Sequence, residues 1–118
     1  MQHVSQPSDS SLCGQCVVAM IAGVSLASVI DVMGSGRSYP ANIRKALKLF
    51  GVSIPSRSTP GTIHAPAGSG AAMLWGERQH WVAYEDGIWY DPAFAHPLTD
   101  LGGYDPAPQA IAIYPATR

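Results

Sequence analysis

The sequence carries little charge. Only 13% of its 118 residues are Asp, Glu, Lys or Arg, about half of the quarter that is usual in soluble domains. The net charge is −1, which argues against a general electrostatic attraction to nucleic acid or to an anionic membrane. We therefore expect no nucleic-acid partner and no membrane partner.

Cysteine and long apolar runs are also scarce. Two cysteines are too few for a secreted fold held together by disulfides. The first residues have neither the basic region nor the apolar region of a signal peptide. The longest apolar run, residues 17–22, is too short to span a bilayer. These absences predict a cytoplasmic protein with reduced thiols.

The length suits one folding unit. Single hydrophobic cores usually form in chains of about 50 to 250 residues, so we expect residues 1–118 to form one domain. Glycine and proline together account for 22 of the 118 residues, which is more than usual. The composition therefore predicts a compact domain with many loops.

The first half of the chain predicts three helices, which begin at residues 13, 26 and 40 and are each closed by a glycine. The first helix is apolar on every side, so we expect it to be buried. One of the polar residues 9–11 is its expected N-cap, and Ser25 is the expected N-cap of the second helix. Pro40 suits the first turn of the third helix.

The second half predicts strands over residues 52–54, 71–75, 80–84, 88–91 and 110–114. A turn is expected at 76–79, and long loops are expected at 55–70 and 92–108. The first of these loops could act as a lid or as a passive connection. Helices followed by strands predict an α+β fold with an antiparallel sheet. Five aromatic residues are expected mostly in the sheet core: Trp75, Trp81, Tyr84, Trp89 and Tyr90.

The hairpin at residues 80–91 brings a histidine and a carboxylate together. Asp86-Gly87 is a preferred two-residue turn, and it sets the register so that Asp91 falls opposite Val82. His80 then lies one diagonal step away on the same face, within hydrogen-bonding reach. A carboxylate in this position fixes the tautomer of an imidazole and stabilises its charged form. A pair with a purely structural role is the alternative.

Cys13 stands where a polar segment enters the buried helix. A helix N-terminus lowers the pKa of a thiol, and a neighbouring imidazolium lowers it further. Cys13, His80 and Asp91 therefore supply a nucleophile, a base and an orienting group. Cys16, one turn further along and flanked by valines, is better explained as a core residue.

These motifs resemble those of papain-like cysteine peptidases of the C39-like type. The resemblance rests on Gln6, Cys13-Gly14-Gln15, Val18-Ala19-Met20, His80-Trp81-Val82 and Asp91-Pro92. It covers residues 6–22 and 80–92, and between them only the order of elements corresponds. It implies a papain-like α+β fold in which N-terminal helices pack on a C-terminal antiparallel sheet.

The resemblance also implies roles for four residues. Cys13 would be the nucleophile, His80 the general base and Asp91 the orienting group. Gln6, together with the Cys13 backbone N–H, would form the oxyanion hole. Gln6 precedes Cys13 by seven residues where the family usually has six, so Gln15 or Gln79 could take its place. The Cys-Gly-X-Cys string is also similar to papain, in which the second cysteine is the nucleophile, and this makes Cys16 the alternative to Cys13.

The expected reaction is acyl transfer from an amide to the thiol, most simply the hydrolysis of a peptide or isopeptide bond, with no cofactor and no metal. A deamidase or a transferase would use the same triad, and an inactive papain-like module would instead bind a host or partner protein. A metal site formed by Cys13, Cys16, His80 and His96 is a further alternative. A redox CxxC site is another, although its motif should follow a strand.

Overall fold

The computed structural model describes residues 1–76, 79–104 and 107–118. The predicted turn at 76–79 and the predicted loop at 92–108 therefore lie partly outside the described residues. Three helices come first: α1 (Cys13–Ala22), α2 (Leu26–Met33) and α3 (Pro40–Leu49). Five strands follow: β1 (Thr59–Pro60), β2 (Ser69–Trp75), β3 (His80–Glu85), β4 (Ile88–Tyr90) and β5 (Ala110–Pro115).

The three helices confirm the predicted ones. Gly23 ends α1 in the left-handed region at φ 71°, where glycine carries no steric penalty. The Ser25 hydroxyl caps α2 by accepting a hydrogen bond of 3.1 Å from the Ser28 N–H. Among the described residues, no single helix is long and apolar enough to cross a membrane. The helices α1 and α2 taken together have the length and composition of a membrane span, but they are bent by 120° relative to each other.

The predicted cap of α1 is wrong. The N-cap is Leu12, and no side chain bonds to the first turn. The Ser10 hydroxyl, one of the expected caps, donates instead to the Pro7 carbonyl at 2.6 Å. The first N–H groups of α1 are therefore left without an intrahelical or side-chain partner.

The five strands form one antiparallel sheet in the order β1-β5-β2-β3-β4. The hairpin has the predicted register, with Glu85 opposite Ile88. Both turn residues, Asp86 and Gly87, have positive φ, as a type I′ turn requires. The predicted strand at 52–54 is reduced to one bridge between Ser53 and Thr117.

Both faces of the sheet are covered. Met73, Trp81 and Ala83 belong to the core shared with the helices, whereas their neighbours Leu74, Val82 and Tyr84 belong to a second core on the opposite face. A sheet buried on both faces explains why β2 and β3 are nearly all apolar and do not alternate. Of the five aromatic residues expected in the core, Trp81, Tyr84 and Trp89 are fully buried, Tyr90 is partly buried and Trp75 is 43% exposed.

The segment 55–70 is more ordered than predicted. It contains β1, which pairs with β5, and its last two residues belong to β2. The Trp89 indole donates to the Ile63 carbonyl at 2.8 Å, which fastens the segment over the second core. None of its residues lines the cleft described below, so the lid interpretation is not supported.

Candidate active site

Cys13 is the first residue of α1, and this helix packs against β3. Because α1 has no side-chain cap, its first N–H groups are available to other partners. The main-chain N–H groups of Trp81, in β3, and of Gly14 both lower the pKa of the Cys13 thiol. A capping side chain would occupy the N–H groups at this end of the helix.

Gly14 permits a close approach beside the thiol. A Cβ atom at this position would lie 2.5 Å from the Ser38 Cβ and 2.6 Å from the Ser38 Oγ. These distances are far inside van der Waals contact, and Ser38 Cβ is attached directly to the main chain, so it cannot swing away. Only glycine fits between Cys13 and the segment that leads into α3.

We expect Gly14→Ala to lower the free energy of unfolding by roughly 1–3 kcal/mol, the usual cost of overpacking. Urea denaturation followed by circular dichroism measures this change. Gly36→Ala is the matched control, because a Cβ there meets nothing within 4 Å and φ is not positive. Equal stability of the two variants would contradict the close contact.

His80 begins β3, and its Nε2 lies 2.6 Å from the Oδ1 of Asp91, just beyond β4. A carboxylate can only accept, so Nε2–H is the donor and Nδ1 remains for the thiol. The imidazole is 24% exposed, whereas the Asp91 side chain is completely buried. The contact expected from the hairpin register is therefore present.

The Asp91 carboxylate accepts hydrogen bonds from two further donors, and its main-chain carbonyl accepts one more. Its Oδ1 also accepts the Ala93 N–H at 2.7 Å, and its Oδ2 accepts the Tyr104 hydroxyl. The His3 imidazole donates to the Asp91 main-chain carbonyl at 2.8 Å. Because both carboxylate oxygens are hydrogen-bonded, the charge can remain buried without a large penalty.

The thiol and the imidazole favour a charged pair. Burial alone would raise the pKa of Cys13, but the hydrogen bond from His80, the Trp81 N–H and the His80 charge bring it below its usual value. Burial alone would lower the pKa of His80, but the hydrogen bond to Asp91 and the interaction with Cys13 raise it to about 9. At neutral pH these two shifts favour a thiolate beside an imidazolium.

Cys16 has none of these features. It is completely buried in the core, and burial, followed by the charge of Cys13, raises the pKa of its thiol to about 12. A thiol of this kind is protonated at neutral pH and unreactive. The structure therefore favours Cys13 over Cys16 as a nucleophile.

The three glutamines considered for an oxyanion hole differ in their surroundings. Gln6 lines the cleft with Cys13; its Nε2 donates to the Ser10 carbonyl at 3.0 Å, and one amide hydrogen remains. Gln15 is buried, and both its amide hydrogens go to main-chain carbonyls, so the suggestion that it could replace Gln6 is wrong. Gln79 is exposed at the rim of the cleft.

Sequence reasoning missed Tyr104 and the Ala93 N–H as partners of Asp91. Tyr104 is 13 residues from Asp91, in a loop without periodicity, so no pattern points to it.

The structure does not support the metal alternative. Within the described ranges no group of three or more His, Cys, Asp or Glu is arranged to hold a metal ion, and Cys13, Cys16, His80 and His96 all lie in those ranges.

The thiol opens onto a cleft of about 1050 Å³. This volume is at the upper end of the usual range for ligand sites. Three exposed aromatic side chains, Tyr39, Trp75 and Phe94, line it. The described residues that line it also include Gln6, Cys13, Arg37, Ser38, His80 and Asp91.

This order of elements, with a cysteine at the start of a buried N-terminal helix and a histidine at the start of an antiparallel strand, is a papain-like α+β fold. A solved structure described as a double glycine motif protease from an AMS/PCAT transporter, in complex with the leader peptide, has this fold. It is 17% identical to this chain, with a TM-score of 0.62, and the similarity covers 97% of this chain and 91% of the other. No family model matches the chain, and no curated protein matches it in sequence.

Proposed function

We propose that this protein is a cysteine peptidase-like hydrolase that cleaves a peptide or isopeptide bond with Cys13, His80 and Asp91. The single observation that carries the proposal is the position of the His80 ring. Its Nε2 is fixed by a fully buried carboxylate, and the ring lines the same open cleft as the Cys13 thiol, whose pKa it lowers. A thiol next to an imidazole that is in turn oriented by a carboxylate forms an activated nucleophile.

The reaction begins with attack of the Cys13 thiolate on the carbonyl carbon of the substrate. A C–S bond forms, and the amide C–N bond breaks as the His80 imidazolium gives its proton to the departing nitrogen. Neutral His80 then takes a proton from water, whose oxygen attacks the thioester carbonyl. The C–S bond breaks, the acid is released, and the thiolate and imidazolium are restored.

The negative oxygen of each tetrahedral intermediate needs donors. The Cys13 N–H has no intrahelical partner, since the first bond of α1 is formed by the Cys16 N–H. The Gln6 amide lies in the same cleft with one hydrogen free. We assign these two groups to the oxyanion hole; in other enzymes the loss of one such donor lowers kcat by roughly 10²- to 10³-fold.

The substrate is proposed to be a peptide. An open cleft with three exposed aromatic side chains suits an extended chain better than a small, enclosed ligand. The structural neighbour, with the same fold, is in complex with the leader peptide. The proposed chemistry requires neither a cofactor nor a metal.

The reactivity of Cys13 tests this proposal. Iodoacetamide is expected to alkylate Cys13 at pH 7 at least about tenfold faster than a simple thiol-containing peptide, because an unperturbed thiol is only a few per cent ionised there. His80→Ala should abolish the excess rate, since it removes the positive charge and the hydrogen bond. Mass spectrometry of the tryptic peptides gives the rate.

Cys16, on the same helix and fully buried, is the internal control and should remain unlabelled in the folded protein. Labelling of Cys13 at the rate of a simple thiol, with no change in His80→Ala, would refute the proposal. A reactive Cys13 without hydrolysis of any peptide would instead favour the papain-like binding module.

A further inference from the structure

A short segment beside the thiol is fixed by several hydrogen bonds. Residues 34–38 form most of the connection between α2 and α3, and Gln15 of α1 binds them. Its Nε2 donates to the carbonyls of Gly34 and Gly36, at 2.9 and 2.8 Å, and its Oε1 accepts the Ser38 hydroxyl at 3.2 Å. Gln15 is only 1% exposed, and a buried amide is tolerated only when its groups are bonded.

Two further contacts fix the end of this segment. The Trp81 indole of β3 donates to the Ser38 carbonyl at 3.2 Å. Ser38 also lies against Gly14, where an added Cβ would come within 2.5 Å. Since Gly14 follows Cys13 directly, the segment is clamped immediately beside the thiol, and both neighbours of Arg37 are anchored.

Arg37 is the charged residue that this arrangement presents. It is exposed, and it lines the cleft that contains Cys13 and His80. Within residues 1–76, 79–104 and 107–118, no carboxylate lies within ion-pair distance of its guanidinium. Among the described residues of the cleft, Asp91 has the only carboxylate, and it is buried and bonded to His80. The cleft thus carries an exposed cation on a segment whose main chain is anchored.

We propose that Arg37 determines specificity by binding a carboxylate of the substrate next to the bond that is cleaved. The favoured peptide carries Asp or Glu there, since guanidinium matches a carboxylate with two parallel hydrogen bonds. This inference rests on the proposed peptidase function for its biological meaning. The attraction of a carboxylate to Arg37, next to the thiol, can be measured without any peptidase activity.

The first experiment uses fluorescence-quenched peptides in which each position is fixed in turn as Glu or as Gln. Wild-type protein is expected to cleave the Glu member at one position near the scissile bond at least about tenfold faster than the Gln member, as a charge-assisted hydrogen bond allows. Arg37→Gln should reduce the ratio of the two rates to about one. An unchanged preference in Arg37→Gln, or none in the wild type, would overturn the inference.

Arg57→Gln is the matched control, because Arg57 is also exposed but lies outside the cleft. It should keep the wild-type preference. Circular dichroism should show that both variants fold normally, since each replaces an exposed side chain.

A second experiment separates this inference from the proposed function. Cys13 is alkylated with anionic iodoacetate and with neutral iodoacetamide, and the ratio of the two rates is taken relative to that of a simple thiol. Arg37→Gln is expected to lower this ratio by roughly threefold, and 1 M NaCl should lower it in the wild type. A fall in the ratio with no peptide cleaved would retain the carboxylate site and reject the peptidase; an equal ratio in both proteins would reject the site.

Discussion

Replacing Cys13 with alanine is expected to abolish peptide hydrolysis, with a loss of at least about a thousandfold in kcat/KM. Removal of a nucleophile leaves only the binding groups and the oxyanion donors, and in comparable enzymes its loss costs as much as loss of the whole triad. The folded structure should tolerate the change, because Cys13 lies at the open end of α1 and is partly exposed. Initial rates on the quenched-peptide library measure the effect.

Cys16→Ala is the matched control for this variant. Cys16 is completely buried, so its truncation should lower the free energy of unfolding by about 1–2 kcal/mol while leaving kcat/KM nearly unchanged. The opposite pattern, an active Cys13→Ala and an inactive but folded Cys16→Ala, would move the nucleophile to Cys16. Loss of activity in both folded variants would mean that the two thiols act together.

The second large effect is expected for Asp91→Asn. This change removes the negative charge but keeps the size of the side chain that binds His80, Ala93 and Tyr104. We expect kcat/KM at pH 7 to fall by roughly 10²- to 10⁴-fold, because the imidazole loses the charge that stabilises its protonated form and fixes its tautomer. Asp100→Asn removes an exposed loop carboxylate whose one hydrogen-bond partner among the described residues is the Gly102 N–H, and it should leave the activity unchanged.

The same variant should change the pH dependence. In the wild type, activity is expected to appear as pH rises through the lowered pKa of Cys13 and to be lost as pH rises through the pKa of His80, which is raised to about 9. Without the Asp91 charge the pKa of His80 falls, so the alkaline limit should move towards neutral pH. A profile of kcat/KM from pH 5 to pH 10 measures the shift, and identical alkaline limits in the two proteins would show that Asp91 does not act on His80.

The fold was largely predictable because its signals are local. Glycines end the helices, and the Asp86-Gly87 turn fixes the hairpin register, which in turn brings Asp91 to His80. The cap of α1 could not be predicted in this way. The polar residues before the helix have the usual capping chemistry, but none of their side chains bonds to the first turn, and the Ser10 hydroxyl donates to the Pro7 carbonyl instead.

The parts of the site contributed by loops could not be predicted. The hydrogen bond of Tyr104 to Asp91 and the clamp of Gln15 on residues 34–38 join positions with no periodic relation. The sequence names Gln15 as a possible substitute for Gln6 in the oxyanion hole. Its burial and its three hydrogen bonds, which only the folded chain reveals, give it a structural role.

The site joins the beginning of the chain to its last third. His3 binds the Asp91 carbonyl across 88 positions, and the Gln6 N–H binds the Pro92 carbonyl at 2.8 Å. Contacts of such long sequence separation carry a large loop-closure cost and form late in folding. We therefore expect the Cys13 thiol to have ordinary reactivity in an incompletely folded chain and raised reactivity only once α1, β3 and Asp91 have come together.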